Sequence, residues 1–348
     1  MKYFVRANTC TGEVNFLLGN LNGIDKIYLI QSEFDYLKSI FISRLCAYIQ
    51  EHCKDAELIY NPNISNEFDG FIIRDKKIAV VDSELMCLNN NCILVDIDSC
   101  IKKKKYNQLV FDVYNITGQI NDKLNSVYSV YQGAKQIHDE WESIYIDKMD
   151  YNLLDKYCSS LIENIVPQEG FDMPAITFER FFGAVFFDGN ANYIDEITND
   201  IKKRYFIKGR PGTGKSTFLK KFAKALTDKG YSVEIYHCGF DSKSLDMVIC
   251  RELSVCIFDS TAPHEKFPVF ETDEILDFYL NSGLDGVDES SKEKLEDISF
   301  RYNKMMSISK IYFEDIHQIR EEFNEKIKQN IDYEILNNIV YELLYEII

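Results

Sequence analysis

The sequence predicts an α/β protein built twice: two tandem three-layer heads, residues 1–168 and 169–348, each followed by a helical appendage. Three observations carry this. An apolar strand runs into a glycine loop and out into an amphipathic helix at 204–226; the segment around that unit recurs 177 positions earlier; and two long helical stretches repeat at a slightly larger offset.

The strand is Arg204-Tyr205-Phe206-Ile207, and behind the loop Phe218, Leu219, Phe222, Ala225 and Leu226 recur at helical spacing until Gly230. Between them stand Gly209, Arg210, Pro211, Gly212, Thr213, Gly214, Lys215, Ser216 and Thr217, a complete G-x-x-x-x-G-K-[ST] run. The chemistry assigns each position a role. The glycines let successive N–H groups turn inward around a polyphosphate at the positive end of the following helix. Lys215 then reaches the β- and γ-phosphates, the Ser216 hydroxyl is placed to ligate Mg²⁺, and Thr217 is one step further into the first turn, near an α-phosphate oxygen. The expected ligands are ATP and Mg²⁺, with ATP favoured because no Asn-Lys-x-Asp or Thr-Lys-x-Asp guanine signature occurs.

A second element is expected on a neighbouring strand. Residues 253–258 form an apolar run closed by Asp259, 44 positions beyond Lys215 (259 − 215), with the strand Val233–His237 legible between. A carboxylate at such a strand end holds Mg²⁺ together with Ser216, although an aspartate there also serves as a turn former or helix cap. No glutamate follows it, because the chain continues Ser260-Thr261-Ala262-Pro263. His264 lies on the loop leaving the sheet at its ligand edge and is the further catalytic candidate beside Lys215 and Asp259. His237 with Cys238 reads as a strand end turning at Gly239 or as part of a site. Asp241 and Asp246 read as turn and cap residues or as metal or substrate ligands.

The duplication is explicit. Residues 27–83 align without a gap on 204–260, with 12 identities in 57 pairs where composition alone gives roughly three or four. Lys38-Ser39 meets Lys215-Ser216, and Asp82-Ser83 meets Asp259-Ser260. The loop itself is eroded in the first copy: Ser32, Asp35 and Leu37 stand at the three glycine positions, and Glu33 and Asp35 bring negative charge to where a phosphate would sit. The first copy therefore reads as a scaffold. In the tails, at an offset of 182, Gln136-Ile137 meets Gln318-Ile319 and Asp150-Tyr151 meets Asp332-Tyr333. The boundary falls near Pro167 to Pro174.

At 348 residues and 46% hydrophobic, the chain is ample for two folded domains, and its net charge of −17 argues against a general nucleic-acid binder. The four-lysine run at 102–105 reads as a solvated end. No apolar stretch of 18 exists and the start lacks a secretory pattern, so the expectation is a cytoplasmic protein with no membrane contact. The ten cysteines form no C-x-x-C and read as reduced core residues. The helical tails offer a surface for a protein partner or oligomer.

The stretches 202–217, Tyr236-His-Cys-Gly-Phe-Asp with Ser244-Leu-Asp, and Phe258-Asp-Ser-Thr-Ala-Pro-His resemble an uncharacterised bacterial family of tandem P-loop, ATPase-like proteins. The resemblance covers nearly the whole chain and implies duplicated P-loop NTPase domains and ATP binding. In that family both halves usually carry the loop, so the eroded 32–39 stretch is a departure. Three function classes stay open: an ATPase moving its helical tails, a small-molecule or nucleotide kinase, and a non-catalytic nucleotide-binding module.

Overall fold

The computed structural model describes residues 1–86, 92–186 and 189–348. The strands of the first half are β1 (Lys2–Tyr3), the hairpin β2 (Arg6–Thr9) and β3 (Gly12–Asn15), then β4 (Lys26–Gln31), β5 (Glu57–Tyr60), β6 (Phe68–Ile73), β7 (Ile78–Asp82) and β8 (Cys92–Asp96). Those of the second are β9 (Thr177–Arg180), the hairpin β10 (Gly183–Phe186) and β11 (Gly189–Asn192), then β12 (Lys203–Lys208), β13 (Val233–His237), β14 (Leu245–Cys250), β15 (Val255–Asp259) and β16 (Glu274–Asp277). The helices are α1 (Leu17–Asn20), α2 (Asp35–His52), α3 (Lys103–Ile146), α4 (Tyr151–Ile165), α5 (Ile194–Thr198), α6 (Lys215–Thr227), α7 (Val287–Ser290), α8 (Lys292–Lys328) and α9 (Tyr333–Ile347).

Two six-stranded mixed sheets result, ordered β1-β5-β6-β7-β4-β8 and β9-β13-β14-β15-β12-β16, and in each only the third strand runs against the rest. The repeat thus extends to the N-terminus: the hairpin β10–β11 begins 177 residues after β2–β3 (183 − 6). Even the tight turns match, with Lys77 at φ 56° and Ser254 at φ 52°, left-handed residues at equivalent corners.

One face of each sheet takes a long helix. Tyr28, Ile30, Phe71 and Val80 share a core with Phe41 and Leu45 of α2, and Ile207, Val248 and Ile257 share one with Phe218 and Phe222 of α6. The expected third layer is reduced to the short helices α1 and α5, and the other half of the chain supplies the rest. Ile27, Leu29, Ile72 and Val81 of the first sheet fall in one apolar cluster with Phe206, Met247, Ile249 and Phe258 of the second, and Leu17, Ile194 and Ile197 of the short helices join it. Alternating side chains that would otherwise face water cover each other, so neither head needs a long helix on its second face.

The join is symmetric. Phe4 and Phe181, equivalent residues, exchange both backbone hydrogen bonds at 2.9 and 2.8 Å. Beside them Arg180, 1% exposed, reaches Glu57 at 3.0 Å and Glu234 at 3.3 Å, again an equivalent pair.

The tails are exchanged between the halves. Helix α3 runs antiparallel to α8, tied by Lys123–Asp315 at 2.6 Å and Glu140–Arg301 at 2.7 Å. Asp150 then caps α4, its own N–H bonding the Ser282 carbonyl, and Asp332 caps α9 with its N–H on the Cys100 carbonyl. Leu154 and Cys158 of α4 pack on Phe218 and Phe222 in the second head, while Leu336, Val340, Leu343, Leu344 and Ile347 of α9 pack in the first. Each repeat covers the head of the other. No helix among the described residues is long and apolar enough to cross a membrane.

Candidate functional site

Strand β12 delivers the chain into the 209–217 loop, and α6 begins at Lys215 with Gly214 as its N-cap and no side-chain cap. The first-turn N–H groups of α6 thus face outward with helix geometry leaving them without intrahelical partners. Gly212 and Gly214 both sit at left-handed φ, 78° and 79°, which a Cβ would strain. Between them Thr213 is buried, its N and Oγ1 bonding the Arg210 carbonyl at 3.2 and 2.8 Å, so the loop closes on itself.

Lys215 Nζ donates to the Arg210 carbonyl at 2.8 Å and stands 3.5 Å from Asp259 Oδ2. The Asp259 Oδ1 accepts from Thr261 N and Oγ1 at 3.1 and 2.7 Å, which fixes the carboxylate at the strand end. Ser216 Oγ accepts from Leu245 N at 2.9 Å, and Thr217 lies one position further along α6. Lys215, Ser216 and Asp259 are therefore brought together. Arg210 is held by Asp288 through Nε and Nη2 at 2.8 and 2.6 Å. His264 sits on the hairpin side of the site: its ring meets Phe182 edge-on, Nδ1 is 3.3 Å from Asn192 Nδ2, and burial depresses its imidazole below the ordinary value against an opposing pull from Asp259. His237 spends both ring nitrogens on Ser242 O and Glu179 Oε1, a structural role. Asp241 makes the turn bond to Lys243 N at 3.0 Å.

Asp246, read from the sequence as a cap or as a metal or substrate ligand, caps no helix: it lies on β14, a strand buried along its whole length and therefore without the alternation that marks a half-buried strand. The antiparallel register pairs Met247 with Phe258, so the next step sets Asp246 beside Asp259. It is 8% exposed, and burial followed by the Asp259 charge pushes its carboxyl up to about 8. Its place opposite Asp69 in the repeat is the sequence signal that favours a strand position over a cap.

A group that was not singled out from the sequence belongs to α3 and reaches the loop from the first repeat. A Cβ on Gly212 would lie 2.7 Å from the Glu142 carbonyl, and one on Gly214 would lie 2.9 Å from Leu154 Cδ2 of α4. Lys135 stands 3.6 Å from Asp241. Burial and then Lys135 depress the His138 imidazole, with Lys215 adding to the effect. The ligand atoms of His138, Asp139 and Glu142 lie within 4.8 Å of one another.

The first head is an internal control. Helix α2 begins at Asp35, the counterpart of Gly212, so a turn of helix occupies the place of the loop. Lys38, 1% exposed, binds Asp35 and Asp82 at 3.1 Å and Glu84 at 2.5 Å. Burial alone would lower its ammonium, yet these carboxylates hold it above the ordinary value. Carboxylates of the chain itself surround this cation, whereas its counterpart in the second head bonds the Arg210 carbonyl and has one carboxylate, Asp259, within 4.0 Å among the described residues.

No family model, curated protein or solved structure matches this chain.

Proposed function

We propose that the chain is a P-loop protein that binds one Mg-ATP through residues 209–217 of its second head and hydrolyses it, the first head being a scaffold. The observation that carries this is the contrast between the two copies. The loop that keeps Gly212 and Gly214 at left-handed φ also keeps Lys215, Ser216 and Asp259 convergent, whereas the copy without the glycines has closed around Lys38. Tail packing also crowds both glycines, a Cβ at Gly212 lying 2.7 Å from the Glu142 carbonyl, but close packing alone does not call for their left-handed φ, whereas an anion nest does.

In this reading the N–H groups of the loop and of the α6 first turn hold the β- and γ-phosphates. Lys215 moves its Nζ from the Arg210 carbonyl to a phosphate oxygen, and Ser216 with Asp259 would hold Mg²⁺. The metal, when bound, neutralises charge that builds on the phosphate oxygens. Glu142 and Leu154 roof the loop and limit the access of water. The buried cysteines Cys46, Cys100, Cys158, Cys250 and Cys256 are free thiols, which fits a reducing cytosolic setting.

Lys215→Ala removes a charge-assisted contact worth roughly 1.5 to 3 kcal/mol, so ATP affinity is expected to fall at least tenfold in calorimetry with the fold retained. Equal affinity in the two folded proteins removes the assignment. Asp259→Asn is expected to reduce Mg-dependent phosphate release far more than ATP affinity, because the carboxylate acts on charge that develops in the transition state. A wild type that binds ATP and releases no phosphate would leave a binding module.

A further inference from the structure

The two copies differ in how they neutralise one pair of neighbouring carboxylates, one buried and one partly buried in each head. In the first head the pair is Asp69 and Asp82. Asp69, 1% exposed, accepts from Arg6 Nε and Nη2 at 2.7 and 2.9 Å, and the same guanidinium feels the charge of Asp82. Asp82 in turn holds Lys38 at 3.1 Å. Two carboxylates thus meet two cations.

In the second head the equivalent pair is Asp246 and Asp259, at the same strand positions (69 + 177 and 82 + 177). Lys215 is present, 3.5 Å from Asp259. The counterpart of Arg6 is Gly183 (6 + 177), and a Cβ there would already lie 2.7 Å from the Ala191 carbonyl across the hairpin. The chain has a long cation in one copy and no side chain at all in the other. Among the described residues no Lys, Arg or His comes within 4.0 Å of Asp246; its polar neighbour is the Cys238 thiol, a weak donor. A carboxyl more than nine-tenths buried, beside a second carboxylate and without its own cation, either keeps its proton or is compensated by a positive charge supplied from outside. A hydroxyl lies nearby: Ser216 Oγ accepts from the N–H of Leu245, the residue next to Asp246, at 2.9 Å. Oxygen donors of this kind suit a hard divalent cation.

We propose that Asp246, Asp259 and Ser216 form a divalent-cation site that takes its ion without nucleotide, the ion standing in for the Arg6 guanidinium of the first head. The proposal deepens the Mg-ATP reading by adding Asp246 to its metal site, and it rests on that reading only for the nucleotide that later joins the ion.

The test is a Mn²⁺ titration of the full chain in the absence of any nucleotide, following free Mn²⁺ by electron paramagnetic resonance. The wild type is expected to bind one ion at this site, and Asp246→Asn to weaken it at least tenfold. Lys215→Ala, which removes a phosphate contact, is expected to retain the ion. Thermal melts give a second readout: Mn²⁺ raises the melting temperature of the wild type and not that of Asp246→Asn. Should Asp246→Asn fail to fold, Ser216→Ala takes its place, with a weaker ion expected. Equal affinity in wild type and in a folded variant would assign the ion to the His138, Asp139 and Glu142 group instead and overturn the proposal, as would a wild type that binds no Mn²⁺ alone. If Mn²⁺ binds as expected while wild type and Lys215→Ala bind ATP equally or not at all, the nucleotide reading fails and the cation site stands.

Discussion

A chain ending at Asn330, and so lacking α9, is expected to lose the fold of its first head while its second head survives. Five side chains of that helix, Leu336, Val340, Leu343, Leu344 and Ile347, are buried against α2 and the first sheet. At about 1.5 to 3 kcal/mol each they contribute roughly 7 to 15 kcal/mol before the residual structure of the unfolded chain is discounted. That matches the whole stability of an ordinary domain, about 5 to 15 kcal/mol. Polar anchors go as well: Tyr28 loses Glu346 at 2.8 Å, and Lys76 loses the Ile347 carbonyl at 3.2 Å. Hydrogen exchange should show fast exchange in β4, β6 and β7 with protection kept in β12 and β15. Loss of protection in the second head alone would mean that each tail covers its own repeat.

Lys38→Ala should unfold more easily than the wild type by about 3 to 5 kcal/mol, the cost of removing one partner from a buried ion pair. The ammonium is 1% exposed and its partner Asp82 14%, so water does not readily replace it. The same change should leave ATP affinity and stoichiometry untouched, because a helical turn starting at Asp35 fills the place of an anion nest. Denaturant melts and calorimetry on one preparation separate the two effects. Two nucleotides per wild-type chain, falling to one in Lys38→Ala, would show that the first head is a working site.

Much of the head was legible because the repeat there is gapless. Tyr28 and Tyr205, Lys38 and Lys215, Asp82 and Asp259 align on residues that occupy equivalent strand and helix positions. The glycine loop was legible for a different reason: left-handed backbone at Gly212 and Gly214 selects a residue type that sequence displays directly. Strand β14 was hidden because both its faces are buried, and with it went the position of Asp246. The tail exchange was hidden by the duplication itself. Helices α4 and α9 carry similar apolar stripes for similar grooves, so pattern alone does not distinguish a helix that returns to its own head from one that crosses. The roof of Glu142 and Leu154 over the loop follows from that crossing and was equally out of reach.

The exchange changes what the linker between Val166 and β9 is for. A single repeat would have an apolar stripe on its last helix and an uncovered groove on its head, with no way to join them except through a second copy of itself. Joining two repeats end to end converts that encounter into an intramolecular one at high effective concentration, independent of how much protein is present. The linker then acts as a tether, and cutting it after folding should leave two fragments that hold together as one particle. It also frees the copies from being identical, since a closed pair stays closed whichever loop it keeps.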